Sequence, residues 1–271
     1  MIEALSLGFF QRALMAGVML SVVCGVLSVF VILRRMAFIG VGISHSAFGG
    51  VALGFLLGLD PLWSGIGFSV AVALLIEWAQ ERGRLGEDAA IGIFFAFAMA
   101  LGVVFLHLSR TYNVDVFGFL FGNILAVGPH QLAEIFTVGL VVLGTVAFFY
   151  KELVFLSFDE EMAWVSGVPV KALRYLFLVL LALVIIMAIY LVGIILVSAL
   201  LVIPGAMARN LTRHIAGMLW VSVGAALAAS VGGLFLSLGL DWPSGATVVL
   251  VLGLGFFLSQ GLRAWGRWGA A

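Results

Sequence analysis

The chain is a series of long apolar runs, most of them close to twenty residues, separated by short polar stretches. A helix needs about 20 apolar residues to cross a hydrocarbon core of about 30 Å. The runs are continuous and do not alternate, which argues against transmembrane strands. The pattern therefore predicts an all-α polytopic integral membrane protein, with one domain over residues 1–271. The nine predicted spans are 10–33, 37–58, 62–80, 89–108, 131–150, 171–190, 192–208, 215–238 and 244–262.

One apolar run, from residue 173 to 208, leaves the number of spans open between nine and eight. It is long enough for two helices but contains no strongly polar turn. We place the bend at 190–193. The alternative is one long helix followed by a half-helix, which gives eight spans and an outward C-terminus. The basic tail at 263–267 favours nine spans.

Composition excludes a soluble protein. The chain is 64% apolar and only 10% charged, whereas a soluble domain usually carries about 25% charged residues. Thirteen basic and thirteen acidic residues give a net charge of zero, so no basic surplus points to nucleic acid. The single cysteine, Cys24, excludes an internal disulfide and a cysteine-built zinc site.

Basic residues predict the orientation, because positive side chains in short loops stay cytoplasmic. Nine crossings with the N-terminus outside leave only Arg12 and Arg110 on the outer side. A crossing at 113–129 would reverse every later loop, so we expect this short, glycine-rich segment to be re-entrant or to lie on the outer surface. The basic groups that then share the cytoplasmic side are at 34–35, 82–84, 151–174, 209–213 and 263–267.

Small residues recur every four positions in the second predicted span. In lipid, helices associate through close backbone contact at such residues. We therefore expect this helix to be gripped by its neighbours, and plain packing is the favoured interpretation of its glycines. The stripe consists of Gly42, Ser46, Gly50 and Gly54.

His45, with Ser44 beside it, is the candidate for membrane-embedded chemistry. It lies about eight residues, or about 12 Å, from the cytoplasmic end of its span. Ionisable groups at such depth are costly and usually functional, and neutral imidazole is the commonest side-chain ligand of transition metals. A histidine hydrogen-bonded to a neighbouring helix is an equal alternative. Glu77, about one turn from the cytoplasmic end of its span, is expected to snorkel and to be structural.

The polar segment 157–171 predicts a short cytoplasmic helix between two spans. Ser157 or Asp159 caps its start, acidic residues suit its first turn, and a glycine ends it. Proline then begins the next helix. The acidic residues of the first turn are Glu160 and Glu161, the glycine is Gly167 and the proline is Pro169.

Two interpretations of this short helix stay open. Phe158, Met162 and Val165 lie at helical spacing and form an apolar face. The face either rests on the bilayer or docks a soluble partner. The acidic start favours the partner, because anionic lipid of the inner leaflet attracts basic helices.

The chain contains no energy source of its own. A phosphate-binding loop needs glycines followed by lysine and serine or threonine. The only lysines, Lys151 and Lys171, follow Tyr150 and Val170. We also find no catalytic triad or metal-hydrolase motif, so the sequence does not predict an enzyme.

Four ordered motifs resemble the bacterial ABC permeases that import zinc, manganese or iron. The second-helix stretch RRMAFIGVGISHSAFGGVALG is similar to their signature, and a cytoplasmic segment and two C-terminal stretches follow it in order. The likeness extends, with gaps, over nearly the whole chain. The other three motifs are FDEEMAWVSGVPVKALRYL (158–176), VGIILVSALLVIPGAMARNL (192–211) and LDWPSGATVVLVLGLGFFLS (240–259).

The resemblance implies a permease of the type II importer fold in the prokaryotic inner membrane, working as a homodimer with its pathway between the subunits. Two copies of a separate cytoplasmic ATPase would dock on the segment 158–170 and drive alternating access. An extracellular metal-binding protein would deliver the ion, a substrate and not a cofactor of this chain. The implied coupling residues are Asp159, Glu160, Glu161, Gly167, Val168 and Pro169.

The residues that would contact the metal match the family only in part. The family reads Gly-Asp-x-x-Ser-His where this chain has Gly40, Val41, Ser44 and His45 at the matching positions. Ser44 and His45 match, but Val41 stands where the acid is expected. An acid there would share a helix face with His45, four residues away.

The last signature implies an outer gate. Asp241, Pro243, Ser244 and Gly245 match it at the start of the last span. Asp241 would touch an entering cation, or alternatively cap the last helix.

A rival function from another class is an ion-coupled secondary transporter of a small solute, which needs intramembrane carboxylates.

Overall fold

The computed structural model describes residues 7–83, 86–109 and 127–268. Within these ranges the chain forms ten α-helices and no strand. The helices are α1 (Gly8–Leu33), α2 (Ile39–Leu57), α3 (Pro61–Gly83), α4 (Glu87–Ser109), α5 (Pro129–Phe148), α6 (Tyr150–Phe158), α7 (Glu160–Val165), α8 (Val170–Leu211), α9 (Ile215–Leu240) and α10 (Ser244–Trp268).

The prediction of nine spans is confirmed for the described part of the chain. Nine helical stretches there are long and apolar enough to cross a membrane, and no bound differs from its predicted position by more than three residues. α8 supplies two of these spans, a first half over Val170–Ile189 and a second half over Val192–Leu211. The alternative of eight spans is therefore wrong.

The chain reverses direction at Gly193, within the bend that the sequence predicts. Gly193 has φ 79° and ψ 166°, a combination that is essentially restricted to glycine. The contacts of α1 establish the reversal. Phe30 packs edge-on against Phe177 of the first half, at 6.2 Å between ring centroids. Two residues earlier, the hydroxyl of Ser28 accepts a hydrogen bond from the second half.

Basic residues from distant loops meet at one end of the bundle, as their charge pattern predicts. The guanidinium of Arg34, after α1, lies 5.0 Å from the ring centroid of Phe177 in α8. Arg263 of α10 donates to the side-chain oxygen of Asn210 at the end of α8, at 2.9 Å. This end is the cytoplasmic one by the positive-inside rule.

At the opposite end, Arg12 of α1 donates from Nε to the carbonyl of Val127, at 2.9 Å, just before α5 begins. α4 runs parallel to α2 and so ends on the same outer side. Residues 110–126, which include Arg110 and most of the predicted re-entrant segment, lie outside the described residues.

α1 is held against α8 and α9 by small residues and hydroxyl groups. Pro204 lies inside α8, where a proline removes one helical hydrogen bond and opens the helix. The next N–H, that of Gly205, donates to the hydroxyl of Ser28 at 2.8 Å. From α9, the hydroxyl of Ser222 donates to the carbonyl of Gly25 at 2.7 Å. These helices therefore approach at backbone distance.

Gly205→Ala is expected to loosen the contact between α1 and α8. The added methyl group meets the backbone carbonyl of Ser28, which cannot rotate away. Overpacking costs about 1–3 kcal/mol, against a gain of roughly 1 kcal/mol for alanine over glycine in a helix. The purified protein should therefore have a lower apparent Tm in detergent.

The matched control is Gly144→Ala in α5, whose added methyl group has no neighbour within 4 Å among the described residues. Its apparent Tm should equal or exceed that of the wild type. A Tm for Gly205→Ala as high as that of the control would contradict the close contact.

Candidate functional site

His45 lies on α2, six residues after the helix begins at Ile39, which is about 9 Å along the helix axis. Its side chain is half-buried. The ring packs edge-on against Phe95 of α4, with 5.1 Å between the ring centroids. A neighbouring helix therefore fixes one side of the imidazole.

The ring nitrogens of His45 have different roles. Nδ1 lies 2.9 Å from the backbone carbonyl of Val41. Because a carbonyl oxygen only accepts hydrogen bonds, Nδ1 is the donor, and in a neutral imidazole Nε2 then keeps its lone pair. Metal-binding histidines usually have this arrangement, with the distal N–H donated to a carbonyl or a carboxylate. The position that the family fills with an acid thus contributes its backbone oxygen.

Ser44 and Ser46 direct their hydroxyl groups to their own helix. Ser44 donates to the carbonyl of Gly40 at 2.5 Å, and Ser46 donates to that of Gly42 at 2.7 Å. Both side chains are fully buried. Each hydroxyl proton is therefore used locally, and only the oxygen lone pairs remain available to another group.

The glycines of α2 allow two helices to approach it. A methyl group on Gly50 would lie 2.8 Å from the Cα atom of Gly65 in α3, and one on Gly54 would lie 3.0 Å from the Cα atom of Pro61. A methyl group on Gly42 would meet the side chain of Ile91 in α4 at 2.5 Å. The small residues thus place His45 in a tightly packed group of α2, α3 and α4.

Asp241 and its neighbours lie at the outer turn between α9 and α10. Asp241 ends α9 in the left-handed conformation, with φ 55° and ψ 40°, and its side chain is exposed. Pro243 is exposed, while Ser244 and Gly245 are half-buried at the start of α10. The backbone of Asp241 thus closes α9, whereas the sequence suggested a cap on the helix that follows.

The structure does not bring His45 and Asp241 together within this chain. α2 packs against α3, α4 and α8, whereas α9 and α10 pack against α1, α8 and each other. His45 is embedded in the membrane and Asp241 lies at the outer end. Among the described residues, no group of three or more His, Cys, Asp or Glu side chains is placed to hold a metal ion.

The cytoplasmic segment forms the short helix α7. The carboxylate of Asp159 accepts a hydrogen bond from the N–H of Met162 at 2.9 Å and so caps its start. At its end, Gly167 has φ 84°, and the N–H of Val168 donates to the carbonyl of Ala163 at 3.0 Å. This is a Schellman motif. Pro169 then precedes α8 as its N-cap.

α7 presents apolar side chains to the surface. Met162, Trp164 and Val165 are all exposed, while Ala163 is buried and anchors the helix to the protein. Phe158 is also exposed but ends α6, because the extended backbone of Asp159 separates the two helices. The apolar face therefore differs from the predicted one, with Trp164 as its largest member.

Arg174, in the first turns of α8, connects α7 to the interior of the bundle. Its Nη1 lies 2.7 Å from the carboxylate of Glu160, the first residue of α7. Its Nε forms an ion pair with Glu77 of α3, whose side chain is only 1% exposed. The expectation that Glu77 snorkels to the surface is therefore wrong, because a guanidinium reaches it inside the protein.

A second ion pair joins the same two long helices nearby. The ammonium group of Lys171 lies 2.8 Å from the carboxylate of Glu81, which also accepts from the hydroxyl of Tyr175 at 3.3 Å. α3 and the first half of α8 run antiparallel, so their charged ends coincide. Opposite charges at the same depth of two spans are the signal by which sequence reasoning could have found both pairs.

Comparisons with known proteins agree with this architecture. The manganese transport system membrane protein MntC of Halalkalibacterium halodurans is 38% identical over 261 residues, covering 95% of this chain and 89% of its own. The high-affinity zinc uptake system membrane protein ZnuB of Haemophilus influenzae is 33% identical, with 91% and 95% covered. The structure of PsaBC from Streptococcus pneumoniae in complex with Fab matches with a TM-score of 0.84 at 36% identity, covering 95% of this chain and 93% of its own.

A family model for the ABC 3 transport family matches residues 6–262, from before α1 into the last turns of α10. The match includes α7, the outer turn and the nine spans of the described residues, except for the last two residues of the ninth span. A multi-pass protein of the prokaryotic inner membrane follows from the nine apolar helices together with this match. The chain belongs to the ABC 3 transport family.

Proposed function

We propose that this chain is the membrane-spanning permease of an ATP-driven importer of a divalent transition metal ion, namely zinc, manganese or iron. The ion would pass from an extracellular binding protein to the cytoplasm by alternating access. Similar proteins named for manganese and for zinc transport support this class of cargo. They match more than nine-tenths of the chain.

The observation that carries the metal assignment is the imidazole of His45. Its Nδ1 proton is directed to the carbonyl of Val41, which leaves the Nε2 lone pair for a ligand. The ring lies within a span, where few other groups ionise. Ser44 and Asp241 complete the proposed pathway, with Asp241 as an outer contact for the entering cation. The close-packed stripe and the outer turn at 243–245 would form its gates.

The energy would come from a separate chain. Two ATPase copies would dock on the two α7 helices of a homodimer. The exposed Met162, Trp164 and Val165 suit a protein contact, because large exposed apolar patches mark interaction sites. The Asp159 cap and the Gly167 turn would hold α7 in the docked position.

Movement of α7 would reach the transmembrane helices through Arg174. This side chain pairs with Glu160 at the surface and with Glu77 in the interior. A rigid guanidinium fork suits such a bridge better than a flexible ammonium group. The ion pairs thus support a direct mechanical connection from the proposed docking helix to α3 and α8.

An ion-coupled secondary transporter is not favoured. That class needs intramembrane carboxylates for its coupling ion. The only acid among the buried residues that the structure describes is Glu77. Its carboxylate is already paired with Arg174.

His45→Ala should reduce metal uptake by about tenfold or more, since a lost ligand or its support typically costs 10–100-fold in affinity or activity. Uptake of radiolabelled manganese and zinc into cells measures the effect, and co-purification with the ATPase checks assembly. His130→Ala is the matched control, because His130 lies at the outer end with its side chain 89% exposed. Equal uptake by both variants would reduce His45 to a packing residue.

Val41→Asp should raise metal occupancy of the purified complex. The new carboxylate lies one helical turn from His45, on the same face, and adds a charged ligand. Metal content after dialysis, measured by mass spectrometry, tests this. Val41→Asn is the control of equal shape without the charge. If neither variant changes the occupancy, this face of α2 does not line the pathway.

Glu160→Gln should lower the amount of metal transported per ATP hydrolysed, because it removes the surface half of the Arg174 bridge. The pair is partly exposed and worth about 1 kcal/mol or less, so we expect a loss of up to about fivefold, with ATPase docking intact. The control is Glu152→Gln on α6, a cytoplasmic carboxylate outside the bridge. A coupling ratio equal to that of the control would argue against the bridge.

A further inference from the structure

A cavity of about 240 Å³ opens at the cytoplasmic end of the bundle. It lies between the turn that joins α1 to α2, the end of α3, and α6 with the start of α7. The proposed ion pathway does not use it. Three arginines contribute to its wall, namely Arg34, Arg35 and Arg174.

The charges around this cavity favour an anion. Arg174 is already paired with Glu160, which lines the cavity, and with Glu77 behind it. These three groups together carry one negative charge. Arg34 and Arg35 add two positive charges, so these five side chains together sum to one net positive charge. A phosphodiester, with one negative charge, balances it.

Two donors are available to such an anion. Arg35 is exposed and has φ 60°, because it ends α1 in a Schellman motif in which the N–H of Met36 donates to the carbonyl of Val31 at 2.9 Å. The amide nitrogen of Gln80, also in the wall, is buried and has no acceptor among the residues that the structure describes. A phosphate oxygen would give this amide a partner.

Apolar side chains and Ser157 make up the rest of the wall. Leu33, Met36, Leu156 and Phe158 line it beside the arginines. A free phosphate or a nucleotide phosphate has no apolar group that would contact these side chains. A phospholipid has such groups, because its glycerol backbone and first methylene groups follow the phosphate and would contact the apolar side chains. Basic pockets at the cytoplasmic ends of transmembrane helices bind anionic head groups.

We propose that this cavity binds the head group of an anionic phospholipid of the inner leaflet, with Arg35 and Gln80 as the phosphate ligands. The lipid would occupy the space between the turn after α1 and the α6–α7 pair. Because Glu160 and Arg174 share that wall, the lipid also supports the bridge from α7 to α3. The site does not depend on the identity of the transported ion.

The test uses the full chain in nanodiscs that contain phosphatidylcholine and phosphatidylglycerol. Native mass spectrometry after detergent release measures which lipid the protein retains. The wild type should retain phosphatidylglycerol in preference to phosphatidylcholine. Arg35→Gln should weaken this retention about fivefold, the factor expected for one basic residue near an anionic surface. Gln80→Leu, which removes the amide but keeps the bulk, should also weaken it.

The matched control is Arg82→Gln. Arg82 lies at the same end of the bundle, over the ring of Trp78 at 5.6 Å, and does not line the cavity. The Arg82→Gln variant should retain as much phosphatidylglycerol as the wild type. Equal losses for Arg35→Gln and Arg82→Gln would mean general surface attraction and would overturn the site.

Two further measurements distinguish the lipid from other molecules that could occupy the cavity. Inorganic phosphate added to the nanodiscs should leave the retained lipid in place, and displacement would assign the cavity to free phosphate. Binding of the ATPase should also leave it in place, and displacement would assign the cavity to a side chain of that partner. Absence of any preference for phosphatidylglycerol in the wild type would overturn the proposal outright.

Discussion

Two spans that follow each other without a polar loop leave the peptide groups of their turn little water to hydrogen-bond, so the turn must be buried in protein. α8 reverses at Gly193, and the adjacent Val192 and Ile194 are buried. α1 provides much of the cover, because it lies along both halves of α8. This explains the serine and glycine contacts of α1, which let backbones approach closely. More than half of the residues of α1, α2 and both halves of α8 are buried, against 22% in the spans of α4, α5 and α10.

α3 and the first half of α8 pack directly against each other. Their cytoplasmic ends are joined by two ion pairs, through Arg174 and Lys171. Only the Arg174 pair extends to α7, through Glu160. A displacement of α7 would therefore first displace Arg174, at the point where its side chain enters the bundle. On the proposed function, this is the shortest route from ATP hydrolysis to the transmembrane helices.

Much of the fold could be predicted from the sequence, because lipid imposes a simple rule on composition and length. The nine spans, the bend near Gly193 and the Gly167 stop all follow from local patterns. The role of Glu77 could not be predicted in the same way. Its partner Arg174 lies 97 positions along the chain, and only the antiparallel packing of α3 and α8 brings them together. Phe158 was placed on the wrong helix because Asp159 both caps α7 and breaks the chain before it.

The candidate site was predicted at the level of residue types, and its geometry was not. Depth, residue type and the family signature all single out His45, but only the structure gives the hydrogen bond from its Nδ1 to the carbonyl of Val41. That hydrogen bond also bears on the missing acid. A carboxylate at this position would place a negative charge beside the imidazole and hold a divalent cation strongly. A transport pathway needs binding strong enough to admit the ion and weak enough to release it. With an imidazole and no carboxylate beside it, α2 meets the second requirement more readily than the first. On the proposed function, strong capture would then belong to the extracellular binding protein, and the permease would offer the ion brief contacts, at Asp241 and then at His45.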